Sequence, residues 1–137
     1  MSIGVVIVTH YRLGEEFLHA LRLIVPEAPE FGSVAIEPSQ SVNEMRELIL
    51  AGIKAADGAG GVLILTDMFG GTPSNIALSF LEEQNVEVVT GINLPMLIKL
   101  ATLRDEPPLS DLATFIKEYG QRNISVASQL LPEGGDT

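Results

Sequence analysis

No cysteine occurs among the 137 residues, which excludes disulfides, thiol catalysis and every cysteine-based zinc framework. Positive charge is also scarce. Eight Lys and Arg stand against 18 Asp and Glu, a formal charge of -10. A field of that sign repels phosphate backbones and anionic lipid surfaces, so no nucleic-acid partner is expected, although it favours approach of a basic protein. No apolar run approaches the roughly 18 to 20 residues of a membrane span, and the opening stretch MSIGVVIVTH lacks a basic leader and a small-residue cleavage site. The expectation is a cytoplasmic chain with no direct membrane insertion. What is present is 46% hydrophobic residues, without low-complexity tracts or internal repeats. That composition and length predict one domain with one sizeable core.

Apolar periodicity then divides the chain. The unbroken β-branched run Ile3 to Val8 reads as a strand covered on both faces. Helical spacing of Phe17, Leu18, Leu21, Ile24 and Val25 predicts a first helix over residues 14 to 25, stopped by Pro26 and Pro29. A short strand from Ser33 to Pro38 follows, then a capping box of Ser41 and Glu44 opening a second helix. After the break DGAGG, residues Val62 to Thr66 predict a third buried strand. Thr72 as N-cap and Pro73 at the first helical position predict a third helix, and Val86 to Val89 a fourth strand. Helices from Pro95 to Leu103 and after Pro107-Pro108 complete the α/β pattern, leaving NISVAS, Asn123 to Ser128, as an isolated strand-like segment. Residues 129 to 137 read as a flexible tail beyond a single domain over 1 to 128. Alternating strands and helices with short connections predict a doubly wound, three-layer α/β/α fold, with a mainly parallel sheet in the order 2-1-3-4.

In that order the chain reverses between strands one and three, where such sheets bind ligands at their carboxyl ends. His10 and Asp67 end those two strands. A carboxylate that accepts from one imidazole nitrogen fixes the tautomer and leaves the other nitrogen's lone pair free to attack. The segment DMFGGTPSN adds Gly70, Gly71 and Thr72 at a helix N-terminus, where unpaired amides and a hydroxyl can hold a phosphate. The same residues also read as an ordinary tight turn with helix-capping hydroxyls at Thr72 and Ser74. Arg12 reads as a solvated arginine and His19 as a surface residue, so neither is assigned to the site and no metal is expected. The glycine pair lacks the lysine of a P-loop, and no dinucleotide fingerprint follows the first strand, so no nucleotide or other cofactor is called for.

The three segments VIVTHYRLGEEF, GVLILTDMFGGTPSNIA and VVTGINLPMLIKL, in this order, resemble the enzyme IIA domain of the mannose-family bacterial phosphotransferase system (PTS), over about residues 1 to 128. The resemblance implies a phosphotransferase in which His10 accepts a phosphoryl group from the phosphocarrier HPr and passes it to a IIB component for sugar uptake. It implies phosphorylation of the distal ring nitrogen, Asp67 holding the other, and Gly70, Gly71 and Thr72 as phosphate neighbours. It further implies a homodimer in which the last strand, near Ile124 to Val126, crosses to the partner subunit. One departure is Tyr11, where many relatives carry glycine after the histidine. A regulatory phosphoprotein of the same fold, controlling a partner without sugar transport, is the alternative. A response-regulator receiver wants an acidic pair at the end of strand one and a lysine at the end of a fifth parallel strand, and neither is seen; a flavodoxin wants a hydroxyl-rich loop after strand one, which THYRLGEE does not supply.

Overall fold

Four parallel strands form the centre of the molecule in the order β2-β1-β3-β4. The computed structural model describes residues 2–132. In chain order the elements are β1 (Gly4–His10), α1 (Leu13–Ile24), β2 (Gly32–Ile36), α2 (Val42–Ala56), β3 (Val62–Thr66), α3 (Thr72–Leu78), β4 (Val86–Thr90), α4 (Leu94–Thr102) and α5 (Leu109–Arg122), followed by a 3-10 turn at Ala127–Leu130. β1 pairs with β2 from Val6 opposite Gly32 to His10 opposite Ile36, and with β3 from Gly4 opposite Val62 to Val8 opposite Thr66.

Strand periodicity of two sorts the β1 side chains onto two cores. Val5 and Ile7 join Leu18, Leu21, Leu97, Leu100 and Ile116 in a core beneath α1, α4 and α5. Val6 and Val8 join Ile49, Ile53, Ile76 and Phe80 beneath α2 and α3. Both faces are therefore dry, which explains why β1 and β3 read as continuous apolar runs rather than alternating ones. The third layer follows from the same fact, since each face needs helices to cover it.

Helix boundaries track their local chemistry. The capping box predicted for α2 is formed: the Glu44 amide donates to Ser41 Oγ at 3.1 Å, and the Ser41 amide donates to Glu44 Oε1 at 2.7 Å. At α4 the Met96 amide donates to Asn93 Oδ1 at 3.1 Å, and Pro95 occupies the first turn, where its missing N–H costs nothing. The structure moves one predicted boundary. Gly71, not Thr72, is the N-cap of α3, in extended conformation, and Thr72 is the first helical residue. Pro73 therefore stands at the second helical position, still within the first turn, where its missing N–H costs no intrahelical bond.

The isolated segment forms no strand within this chain. Between α5 and the 3-10 turn, residues 123 to 126 pair with no strand, and Ile124 and Val126 are exposed. Of the predicted tail, residues 133 to 137 lie outside the described residues, while Gln129 and Leu130 belong to the 3-10 turn.

Candidate functional site

β1 ends on His10, which continues the series Val6, Val8 and so places its imidazole on the α2/α3 face of the sheet. Asp67 directly follows β3, the neighbouring strand. Because adjacent parallel strands end at the same level, residues separated by 57 positions meet: His10 Nδ1 lies 2.8 Å from Asp67 Oδ2. The carboxylate is itself anchored. Its Oδ2 also accepts the His10 amide at 3.0 Å, and its Oδ1 accepts the Met68 amide at 3.0 Å. An ionised carboxylate only accepts, so in the neutral imidazole the proton is assigned to Nδ1 and the lone pair to Nε2. Asp67 is largely covered, its side chain 11% exposed, whereas the imidazole is 44% exposed. The fixed partner is inside and the reactive nitrogen faces out.

Opposite Asp67 stands the glycine turn. A Cβ on Gly71 would lie 2.7 Å from His10 Cε1 and 3.2 Å from Nε2, so only glycine permits this approach to the ring. Gly70 is in the left-handed region, φ 89°. Its amide donates to Ser74 Oγ at 3.0 Å, and the Ser74 hydroxyl donates to the Gly71 carbonyl at 3.1 Å. Among the described residues the amides of Gly71 and Thr72 meet no acceptor. They are open donors on the turn whose Gly71 packs against the imidazole, whereas that of Gly70 is committed. With seven residues in α3, the amides rather than a long helix dipole supply most of the attraction for an anion here.

On the other side of His10 the loop is shaped by Thr9, which is wholly buried. Its hydroxyl accepts the Gly14 amide at 2.9 Å and donates to the Tyr11 carbonyl at 3.3 Å. Tyr11, φ 49°, gives its amide to the Ile36 carbonyl at 2.9 Å. Tyr11, Met68 and Phe69, next in the chain to His10 and Asp67, are exposed apolar side chains. Arg12 turns away to Glu15, with Nε donating at 3.1 Å, and His19 pairs with Glu16 on exposed α1.

Of the residues singled out in the sequence, His10, Asp67 and Gly71 are thus in direct apposition, with Gly70 and Thr72 flanking Gly71 in the chain. Thr72 makes no side-chain capping bond. Thr9 and Ser74 escaped notice as shapers of the site. A threonine inside a strand and a serine in a first helical turn have ordinary structural uses, and no spacing marks which backbone groups they meet.

The family model described as "PTS system fructose IIA component" matches residues 4–117, most of the fold and all of this site. The chain belongs to this PTS IIA family. Among relatives, the PTS system mannose-specific EIIAB component of Escherichia coli (strain K12) is 30% identical over 126 residues, covering 90% of this chain. The chain spans 39% of the length of that protein. The PTS system sorbose-specific EIIA component of Lacticaseibacillus casei is 29% identical, over 88% of this chain and 90% of its own. The solved mannose/sorbose specific IIA subunit from Enterococcus faecalis superimposes with a TM-score of 0.85, at 28% identity over 98% of this chain and 99% of that one. No described helix is long and apolar enough to cross a membrane.

Proposed function

We propose that this chain is a cytoplasmic phosphoryl carrier that accepts a phosphoryl group from phospho-HPr on His10 Nε2 and delivers it to a IIB component for sugar uptake. The observation that carries the proposal is the 2.8 Å contact of Nδ1 with a largely covered, thrice-bonded carboxylate, which in the neutral imidazole puts the lone pair on Nε2. In the forward step the Nε2 lone pair forms a bond to phosphorus, in line with the donor's N–P bond. That bond breaks, and its electron pair remains on the donor imidazole. The Nδ1 proton stays on His10. Positive charge gained by the ring is met by Asp67, and negative charge on the phosphoryl oxygens by the amides of Gly71 and Thr72 and the Thr72 hydroxyl. Gly70 contributes the left-handed turn that presents them. Delivery to IIB is the same step reversed, with His10 as the leaving group.

The half-exposed imidazole, with exposed Tyr11, Met68 and Phe69 close by in the chain, suits a protein surface as substrate better than a free metabolite, which would want an enclosing pocket. Incubation with phospho-HPr is expected to label the chain through an acid-labile, base-stable linkage. His10→Ala should abolish the label, His19→Ala should keep it, and Asp67→Ala should slow transfer at least about tenfold with the fold retained. Label surviving in His10→Ala rejects the site. Label that forms but moves to no IIB component favours a regulatory phosphoprotein.

We further propose a homodimer in which residues 123 to 131 of each chain cross to the other. Ile124, Val126, Leu130 and Leu131 are exposed at 74, 58, 70 and 63%. Beside them the free edge of β4 and α5 bound a groove of about 510 Å³, lined in part by Glu87, Thr90, Thr114, Lys117 and Gln121. An unpaired sheet edge next to an unpaired apolar segment is the usual setting for strand exchange.

A further inference from the structure

Three polar side chains among the described residues have no solvent exposure: Thr9, Thr66 and Ser74. All three sit at the carboxyl end of the sheet, near the end of β1, at the end of β3 and in the first turn of α3. A hydroxyl placed there without partners is destabilising, so its hydrogen bonds say what it is for. Ser74 spends both of its own on the glycine turn, accepting from the Gly70 amide at 3.0 Å and donating to the Gly71 carbonyl at 3.1 Å. Besides these, the Gly71 carbonyl accepts the Asn75 amide at 3.0 Å, and the described residues give the two glycines no other hydrogen bond. Gly70 and Gly71 lack side chains, a Cβ on Gly70 would meet nothing within 4 Å, and Gly70 occupies φ 89°.

We infer that Ser74 is a positioning residue for phosphoryl transfer, acting on His10 through Gly71. The inference rests on the reading of His10 as phosphoacceptor. Two restraints hold the imidazole: Asp67 bonds Nδ1 on one side, and the Gly71 backbone packs against Cε1 and Nε2 on the other. The first is rigid because the carboxylate accepts three N–H groups. The second depends on Ser74, which ties both glycines, and on the Asn75 amide, which holds the Gly71 carbonyl alone. Its acceptor bond also withdraws the Gly70 amide from the open donors, so that a phosphoryl group on Nε2 meets the amides of Gly71 and Thr72. Loss of the hydroxyl frees Gly70 and leaves Gly71 held only by the Asn75 amide, so the wall that fixes the distal nitrogen loosens.

The test uses the full chain and phosphoramidate, a small N–P donor that labels histidine without a carrier protein, followed by phosphorus NMR. Ser74→Ala should label His10 at least about tenfold more slowly than the native chain. The His10 imidazole resonances should shift. With phospho-HPr as donor, kcat should fall while KM stays within about twofold. Ser79→Ala, which removes a hydroxyl that bonds the Ile76 carbonyl and Arg46 just past the other end of α3, is the control for generalised loosening and should leave labelling near native. Native-state hydrogen exchange should protect the Gly70 amide at least about tenfold over that of Gly71, a reading that stands even if Ser74→Ala fails to fold. Native labelling rates and unshifted resonances in Ser74→Ala, equal slowing in Ser79→Ala, or an unprotected Gly70 amide would each overturn the inference. If the native chain takes no label on His10 from either donor, the phosphoacceptor reading itself falls, and this inference with it.

Discussion

Tyr11 holds a left-handed backbone, φ 49°, immediately after the reactive imidazole. A side chain in that region is destabilising by about 1 to 2 kcal/mol, and the ring, 57% exposed, recovers little of this by burial. Its two backbone bonds, to the Ile36 carbonyl and from the Thr9 hydroxyl, would be kept by any residue. Tyr11→Gly is therefore expected to stabilise the fold by about 0.5 to 1 kcal/mol, after allowing for the greater freedom of glycine in the unfolded chain. Urea unfolding measures it, and a loss of stability would mean that the ring packs more tightly than its exposure indicates. The sequence marked Tyr11 as unusual for its position, yet a positive φ has no signature in residue order. The pairing of His10 with Asp67 was legible because each residue ends an apolar run. Which ring nitrogen meets the carboxylate, and that Gly71 closes the other side, are facts of side-chain orientation that no spacing encodes.

Among the elements, α2 and α3 show two ways of securing a helix next to the site. At the start of α2, hydrogen bonds from the Ser41 amide and then its hydroxyl hold the Glu44 carboxyl below its ordinary value of 4.5. A carboxylate whose pKa is lowered by folding stabilises the native state fully above the unfolded value, and that contribution is lost as pH falls through the folded value. The stability difference between the native chain and Glu44→Ala should then be constant from neutral pH down to about 5 and shrink below it, as followed by urea unfolding across pH. A difference that grows on acidification would contradict the capping geometry. Short α3 lacks such a cap and is held from outside. Arg46 of α2 stacks 4.2 Å from the Phe80 ring centroid, bonds Ser79 Oγ at 2.5 Å and reaches both Glu83 oxygens at 2.6 Å. The capping box stood in the sequence as Ser41 and Glu44 because its partners are three residues apart. The Arg46 clamp spans 33 and 37 positions, and nothing local announces it.

For the whole molecule, the open question of assembly lies at the β4 edge. If residues 123 to 131 cross between copies, the chain should sediment as a dimer at micromolar concentration. A double substitution, Ile124→Asp with Val126→Asp, should convert it to a monomer, because the segment would then carry charge into an apolar contact. A monomeric native chain would reject the exchange. The layered fold itself was readable from the residues: buried parallel strands leave unbroken β-branched runs, the helices leave 3.6-residue stripes, and alternation of the two admits few topologies. The same logic brought the ends of strands one and three together and so pointed to His10 and Asp67. By itself, then, the amino-acid order determined the elements, the layers and the meeting of His10 with Asp67, since hydrophobic burial and capping act over a few residues and repeat with a fixed period. Only the tertiary structure decided how the imidazole is turned, which amides remain open, how Ser74 ties the glycine pair and where Asn123 to Val126 stands unpaired, because each depends on contacts between segments distant in the chain, and these are set once the sheet has closed its register.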